Sequence, residues 1–460
     1  MPLAEDCRSF SAKKNDLASH TSSASTKLIH GGFRYLEYYE FRLVRESLIE
    51  REILLRAAPH IIWPLRFVLP YEKGIRPAWL IRLGLFLYDH LGGRELLPGT
   101  KTLRLPKTKH KNILKAQFKK GFEYSDCWVE DARLVVMNAM DARERGADIY
   151  THTEVRDIEV SKEGYKAVIL GSGNSRQVFT KSIINSAGPW VEEVLTKIKR
   201  SKNASSVRLV KGSHIVTKRL FEGEHAYLFQ NPDGRVIFAI PYEGDYTVIG
   251  TTDSVHEEGA GPVKISDVEV NYLCEAASEY FQTPIMRDDV VWTYSGIRPL
   301  FDDQSEDASA VTRDYVLKIE EFADGAPFMS IYGGKITTSR KLAEHALEKL
   351  APFFEDLKPA WTKRASFPGG DIKGADFTTF FLKLSERFRS VNPILLKRLA
   401  RRYGTRVFIV LDENTVELGR VFANLLCEAE VAYLVENEWV THADDILWRR
   451  TKAGLHMSDL

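Results

Sequence analysis

The string Gly333-Gly334-Lys335-Ile336-Thr337-Thr338 carries the strongest local signal for chemistry in this 460-residue chain. A glycine pair lets backbone approach a ligand closely. A helix starting just after it aims free N–H groups and a partial positive charge at that ligand. Lys335 adds a full charge. The plain alternative is a strand-to-helix turn with a capping threonine. Two imidazoles are poised to move a proton near neutral pH, His214 in KGSHIV and His30 in LIHGG. A histidine on a strand serves as readily as a satisfied structural residue. Arg34 in GGFRY and Arg298 in SGIRP offer forked donors that suit phosphate oxygens, or else an acid or a carbonyl nearby.

The elements around these residues follow from periodicity. Residues 39–58 place Phe41, Val44, Leu48 and Leu55 at helical offsets, and Pro59 ends the run. Residues 130–145 read as a helix stopped by Gly146, followed by short strands near Ile149–Val160 and Tyr165–Leu170. Ser182–Trp190 runs from a strand into a helix whose first turn suits Pro189. Residues 205–330 are rich in strands, 331–350 read as strand, glycine turn and helix, and the segment after 352 is mostly helical. Strands mixed with helices and then helices alone predict an α/β (α+β) catalytic part with a small helical C-terminal domain.

Composition narrows the function. Hydrophobic residues make up 44% and charged residues 28%, which excludes a mostly disordered chain. Lys+Arg is 64 against Asp+Glu 63, a balance that argues against a nucleic-acid partner. Cys7, Cys127, Cys274 and Cys427 are scattered and form no CxxC, which fits a reducing compartment and gives no Cys-based zinc module; no metal site is expected. The longest apolar stretches, Ile61–Pro70 and Trp79–Leu91, are cut by Arg66 and Arg82 and fall short of the ~20 residues that span a bilayer. Residues 98–121 hold Lys101, Arg104, Lys107, Lys109, Lys111, Lys115, Lys119 and Lys120 and no acid. This is a solvated basic loop or a contact for anionic lipid head groups.

Several strings converge in order along the chain: TSSASTKLIHGGFRYLE (21–37), GFEYSDCWVEDARL (121–134), NSAGPW (185–190), KGSHIV (211–216), IGTTD (249–253), VWTYSGIRPL (291–300), YGGKITTSRKLAEHALEKL (332–350) and DDILWRRTKAGLH (444–456). Together they resemble the FAD-dependent, membrane-associated glycerol-3-phosphate dehydrogenases. The resemblance implies an FAD-binding domain of the amino-acid-oxidase/glutathione-reductase type over 1–60, 121–204 and 331–351. It implies an interleaved β-sheet substrate domain over 61–120 and 205–330, and a helical domain over 352–460. The family opens on a strand–GxGxxG–helix unit that holds the FAD pyrophosphate. No GxGxxG occurs in residues 1–30, and the ribose-binding acid would fall at Lys13, a cation. The expectation is an N-terminally shortened FAD-binding domain.

The implied reaction takes a hydride from C2 of glycerol 3-phosphate to the flavin, gives dihydroxyacetone phosphate, and passes electrons to quinone. An oxidase that uses oxygen and a non-catalytic remnant that binds FAD poorly are the alternatives. The resemblance assigns Arg298, His214 and Lys335 to catalysis, and Arg34, Tyr35, Arg298 and Lys335 to the substrate. It assigns Ser22, Ser23, Thr26, Lys27, Leu28, His30, Gly31, Gly32, Ala187, Gly188, Gly334, Lys335, Ile336, Thr337 and Thr338 to the cofactor. His30 rivals His214 as the group that takes the substrate proton, polarisation of the hydroxyl by Arg298 is a further alternative, and a structural turn is the expected role of Asp253. Glycerol 3-phosphate, quinone, an anionic membrane surface on the cytoplasmic side and a homodimer are the expected partners.

Overall fold

The computed structural model describes residues 9–72, 76–171, 173–198, 207–301, 314–323, 326–355, 357–411, 417–422 and 425–457. Cys7 lies outside them. Its largest layer is a mixed ten-stranded sheet. The strand order is Ser254–Val255, Val207–Lys218, Tyr246–Gly250, Val236–Tyr242, His225–Gln230, Ile62–Tyr71, Lys120–Val129 and Leu28–Ile29. Val290–Phe301 also pairs with Val207–Lys218, and Lys101–Leu103 with Lys120–Val129. Most neighbours are antiparallel, whereas His225–Gln230 runs parallel to Ile62–Tyr71. The strand Lys120–Val129 pairs along its length with Ile62–Tyr71, so the domain boundary expected at residue 121 falls inside this sheet.

Smaller layers flank it. Phe10–Ala12 pairs parallel with Asp148–Tyr150. Ile183–Asn185 pairs parallel with Ala326–Tyr332, which is antiparallel to Val316–Ala323. Thr153–Ser161, Gly164–Gly171 and Asn174–Thr180 form a meander.

The helices α1 (Phe41–Ala57), α2 (Ala78–His90), α3 (Asp131–Glu144), α4 (Val191–Thr196), α5 (Asp267–Ser278) and α6 (Ser339–Leu350) pack around these layers. In α1, Val44, Leu48 and Leu55 are buried as their spacing predicts, while Phe41 at the first turn is exposed. Residues 377–437 supply α7 (Phe377–Arg387), α8 (Pro393–Tyr403), α9 (Val407–Val410) and α10 (Glu428–Asn437), which close a separate core around Leu395, Leu399, Tyr403 and Leu434.

Buried ions clamp this helical domain to the rest. Arg133 on α3 donates to both carboxylate oxygens of Glu438, one of the bonds at 2.9 Å. Arg450 and Arg449 converge on Asp16, with Arg450 donating at 2.8 and 2.9 Å and Arg449 at 2.6 Å. Arg133, Glu438, Arg450 and Asp16 are all almost fully buried. The ring of Trp448 stacks on Trp292 of the large sheet, with centroids 5.0 Å apart.

Candidate active site

A cavity of about 1030 Å³ opens where the large sheet, α1, α3 and α6 meet. Its floor is backbone. Gly212 and Gly296 face each other in register on the paired strands Val207–Lys218 and Val290–Phe301, and both line the cavity. A Cβ at Gly296 would sit 2.8 Å from the Cβ of Ala24, and one at Gly212 would sit 2.5 Å from the Arg298 guanidinium. Only glycine leaves these surfaces free for a neighbouring group.

One wall is cationic. Arg298, two residues beyond Gly296 on the same strand face, donates one arm to Asp253 and the other to Thr251 Oγ1 at 3.2 Å. Lys335 holds its Nζ 3.8 Å above the ring of Tyr35. Arg298, Lys335 and Tyr35 all line the cavity, as do Phe238 and His30. Beside them the glycine turn leads into Ile336–Thr338 and then α6. Gly333 and Gly334 have φ of 70° and 104°, a region that costs glycine nothing. Ile336, Thr337, Ser339 and Arg340 therefore bring a helix start to the cavity. Thr337 Oγ1 accepts the His30 N–H at 3.2 Å, which ties this start to the LIHGG turn.

His30 is the histidine among the described lining residues. Burial pushes its imidazole below the usual range; Asp126 opposes this, and Lys335 and Arg51 add to it. It is held as a neutral base. His214 does not line the cavity. Its ring stacks on Tyr294 with centroids 4.5 Å apart, and its Nε2 meets Thr26 Oγ1 at 3.0 Å. Thr26 does line the cavity, so His214 reaches it through that hydroxyl. Burial, then Arg298 and Lys27, hold His214 neutral as well.

The structure separates other expected neighbours. Arg34 faces away, into a cleft of about 190 Å³ with Glu37, Arg76 and Arg235, and donates to Tyr38 at 3.2 Å. The cause is local. Residues Phe33–Tyr38 form a 3₁₀ helix, whose about 3 residues per turn send consecutive side chains in different directions. With Tyr35 turned to the cavity, Arg34 turns from it. Ser22, Thr26, Leu28, His30, Gly334, Ile336 and Thr337 line the cavity, whereas Ser23, Lys27, Gly31, Gly32, Ala187, Gly188 and Thr338 do not. Gly188 lies behind the wall, where a Cβ would come 4.0 Å from Pro299.

Lys27 is buried and pairs with Asp131 at 2.9 and 3.0 Å. Asp131 also accepts from the Ser25 hydroxyl at 2.8 Å, which fixes the loop that carries Ser22 and Thr26. A second network holds the glycine turn. Asp126 accepts from Arg51 at 2.7 Å and from Tyr88 at 2.7 and 2.9 Å, and the Gly31 N–H donates to the Tyr88 hydroxyl at 2.7 Å. Asp126, Asp131, Arg51 and Tyr88 carried no predicted role. For the two aspartates the signal was their place in GFEYSDCWVEDARL, a string with four acids, Glu123, Asp126, Glu130 and Asp131, among its apolar residues; Arg51 and Tyr88 carried none.

The far wall is largely apolar: Leu134 and Val135 from α3, Leu342 and Leu347 from α6, and Trp361 and Phe367 beyond it. A glycine floor, a cationic wall with a helix start, and a long apolar extension suit an elongated group with a flat ring and an edge that gains negative charge. A flavin dinucleotide has those properties, and the residues present fit it.

Sequence comparison agrees with this reading. Residues 12–340 match the FAD dependent oxidoreductase family, and residues 360–459 match the C-terminal domain of alpha-glycerophosphate oxidase. The chain thus belongs to the FAD-dependent oxidoreductases, in the branch that carries this C-terminal domain. It is 46% identical to the aerobic glycerol-3-phosphate dehydrogenase of Escherichia coli K12, over 96% of this chain and 88% of that protein. It is 50% identical to the D-erythritol 1-phosphate dehydrogenase of Brucella abortus, over 97% of this chain and 90% of that protein. Among solved structures it is similar to the glycerol-3-phosphate dehydrogenase from Bacillus halodurans complexed with FAD. That match has 28% identity and a TM-score of 0.75, over 97% of this chain and 81% of that one.

Proposed function

We propose that this enzyme oxidises sn-glycerol 3-phosphate to dihydroxyacetone phosphate and that its electrons pass to a quinone. The observation that carries the reading is the convergence of Arg298, Lys335, Tyr35 and His30 on one glycine-floored cavity. Bound FAD supplies the hydride acceptor. Arg298 and Lys335 bind the substrate phosphate, and Tyr35 packs between that anion and the wall. His30, buried and neutral, takes the proton from the C2 hydroxyl. His214 supports the same wall through Thr26. The apolar lining excludes water, which strengthens each of these electrostatic contacts. Steady-state oxidation of glycerol 3-phosphate with a quinone analogue, set against oxygen consumption, tests the substrate and the acceptor together.

The 50% identity to a D-erythritol 1-phosphate dehydrogenase supports a second substrate, a four-carbon polyol phosphate. The ratio of kcat/KM for the two phosphates decides between them.

Membrane contact rests on α2. Ile81, Leu85 and Tyr88 are buried, while Trp79, Leu80, Leu83 and Phe86 are exposed at 68%, 43%, 46% and 51%. Trp79, Leu83 and Phe86 recur at helical spacing and form one outward apolar stripe. Lys101, Arg104, Lys107, Lys109, Lys111 and Lys119 are exposed cations for anionic head groups. No helix among the described residues is long and apolar enough to cross a bilayer. In flotation with anionic vesicles, the double change Trp79→Glu and Phe86→Glu should release the protein while activity on a soluble acceptor persists. Retained flotation contradicts this surface.

A further inference from the structure

The loop that holds Arg298 is itself anchored from behind the sheet. Thr251 and Asp253 line the cavity and take the two arms of Arg298. Thr252 between them is 2% exposed and faces the opposite way, as alternation along an extended segment requires. Its hydroxyl donates to Glu269 Oε1 at 2.9 Å and accepts the Ser213 N–H at 3.0 Å. The same alternation operates on the neighbouring strand. Gly212 faces the cavity, while the Ser213 hydroxyl turns back and donates to Glu269 Oε1 at 3.0 Å.

The other oxygen of Glu269 is held as firmly. It pairs with Lys211 at 2.8 Å and accepts the N–H and hydroxyl of Ser266, both at 2.9 Å. Ser266 and Glu269 together form the capping box that starts α5. Burial disfavours the Glu269 carboxylate, but Lys211 and the hydrogen bonds from Ser266 and Thr252 outweigh it and hold the group down at about 2. Both oxygens are saturated by donors from three segments, so the carboxylate has one geometry.

The geometry points to Glu269 as a positioning residue for substrate binding: from α5, outside the cavity, it fixes Thr252 and Ser213, and through the adjacent Thr251 and Asp253 it fixes the direction of the Arg298 guanidinium. A bidentate guanidinium–phosphate contact demands such alignment, since the fork is planar and directional. This inference rests on the reading that Arg298 binds the substrate phosphate.

Five variants of the flavin-loaded enzyme test it, read by KM for glycerol 3-phosphate, kcat, calorimetric titration of dihydroxyacetone phosphate, flavin content and thermal unfolding. Thr252→Val removes the hydroxyl link without touching the helix cap. It should raise KM and weaken product binding by about tenfold, within the roughly hundredfold that a ~1 Å misplacement costs. Flavin content should not change. Thr252→Ser keeps the hydroxyl and should restore the native KM. Glu269→Ala should match Thr252→Val in KM. Ser266→Ala weakens only the cap, because its backbone N–H still reaches Glu269, and should lower stability with a native KM. A native KM in Thr252→Val, or a raised KM in Ser266→Ala that scales with lost stability, overturns the proposal. Arg298→Ala separates the two levels: if it leaves KM native, the reading of Arg298 itself fails. If it raises KM while Thr252→Val does not, only the role of Glu269 fails.

Discussion

Arg298 shows how strand register directs one charged side chain into the cavity. Gly296 clears the floor two positions before it, Gly212 clears the space beside it, and Thr251 and Asp253 set its direction. Removing it should leave the flavin in place, because Arg298 forms only one edge of a cavity that Leu28, His30, Gly334, Ile336 and Thr337 also line. Arg298→Ala is expected to cost about 1.5–3 kcal/mol of transition-state binding, the worth of a charge-assisted hydrogen bond. Steady-state kinetics should therefore show kcat/KM down by about 10- to 160-fold at unchanged flavin content. Equal loss of both would place Arg298 in the cofactor site. At this scale the sequence marked residues that do reach the cavity where they stand beside a lining glycine, as at Gly334-Lys335 and Gly296 to Arg298, whereas the pair Gly31-Gly32 does not line it. It was misread where direction decides: Arg34 and Tyr35 are neighbours, and only the 3₁₀ turn determines which one faces the cavity. Asp253, expected to be a turn residue, proves to be the acid on Arg298.

Individual elements explain why the site stays assembled. α1 and α3 read plainly from the sequence, because their apolar residues recur at helical spacing and a proline or glycine ends each run. The ion pairs they carry do not read that way, since no period marks a buried charge. Arg133 on α3 pairs with Glu438 across more than three hundred residues, and both are nearly fully buried. Breaking a buried pair leaves an uncompensated charge and typically costs about 3–5 kcal/mol. Glu438→Ala should therefore lower the unfolding temperature strongly, with the helical domain separating first. Differential scanning calorimetry checks this, and an unchanged transition would mean that the clamp is redundant with Asp16, Arg449 and Arg450. The exposed apolar stripe of α2 lay in a stretch legible only as apolar. The structure divides that stretch into a buried face and an exposed one, a distinction that needs the neighbouring sheet.

At the scale of the whole molecule, several histidines are buried in neutral form. Burial, with Arg133 and Arg401 nearby, pushes His60 down to about 3. Burial, with His110 and Lys109, does the same to His225, also to about 3, and burial with Lys109 lowers His110 to about 4. In the unfolded chain each returns to about 6.5. Below that value the unfolded state binds more protons than the folded one, so the contribution of these histidines to stability is constant above pH 7 and falls as pH drops from about 6.5 toward 4, with each group adding up to about 1.4 kcal/mol per pH unit. Thermal unfolding at pH 8, 7, 6 and 5 should show this slope, and His225→Phe, packed among Phe221, Tyr227 and His110, should flatten it. The layered plan, strands mixed with helices and then helices alone, was legible from the order of periodicities. The joining of residues 28–29, 62–71 and 120–129 into one sheet with residues 207–301 was not, because strand pairing across such separations leaves no local mark. The proposed reaction requires that this cavity hold a flavin beside an arginine and a lysine that bind phosphate. The most direct measurement is the visible flavin absorbance of the purified protein, followed anaerobically as glycerol 3-phosphate is added. Bound flavin should bleach on addition of the substrate, with dihydroxyacetone phosphate formed in equal amount. A colourless protein that takes up no added FAD, or a bound flavin that glycerol 3-phosphate leaves oxidised, would contradict it.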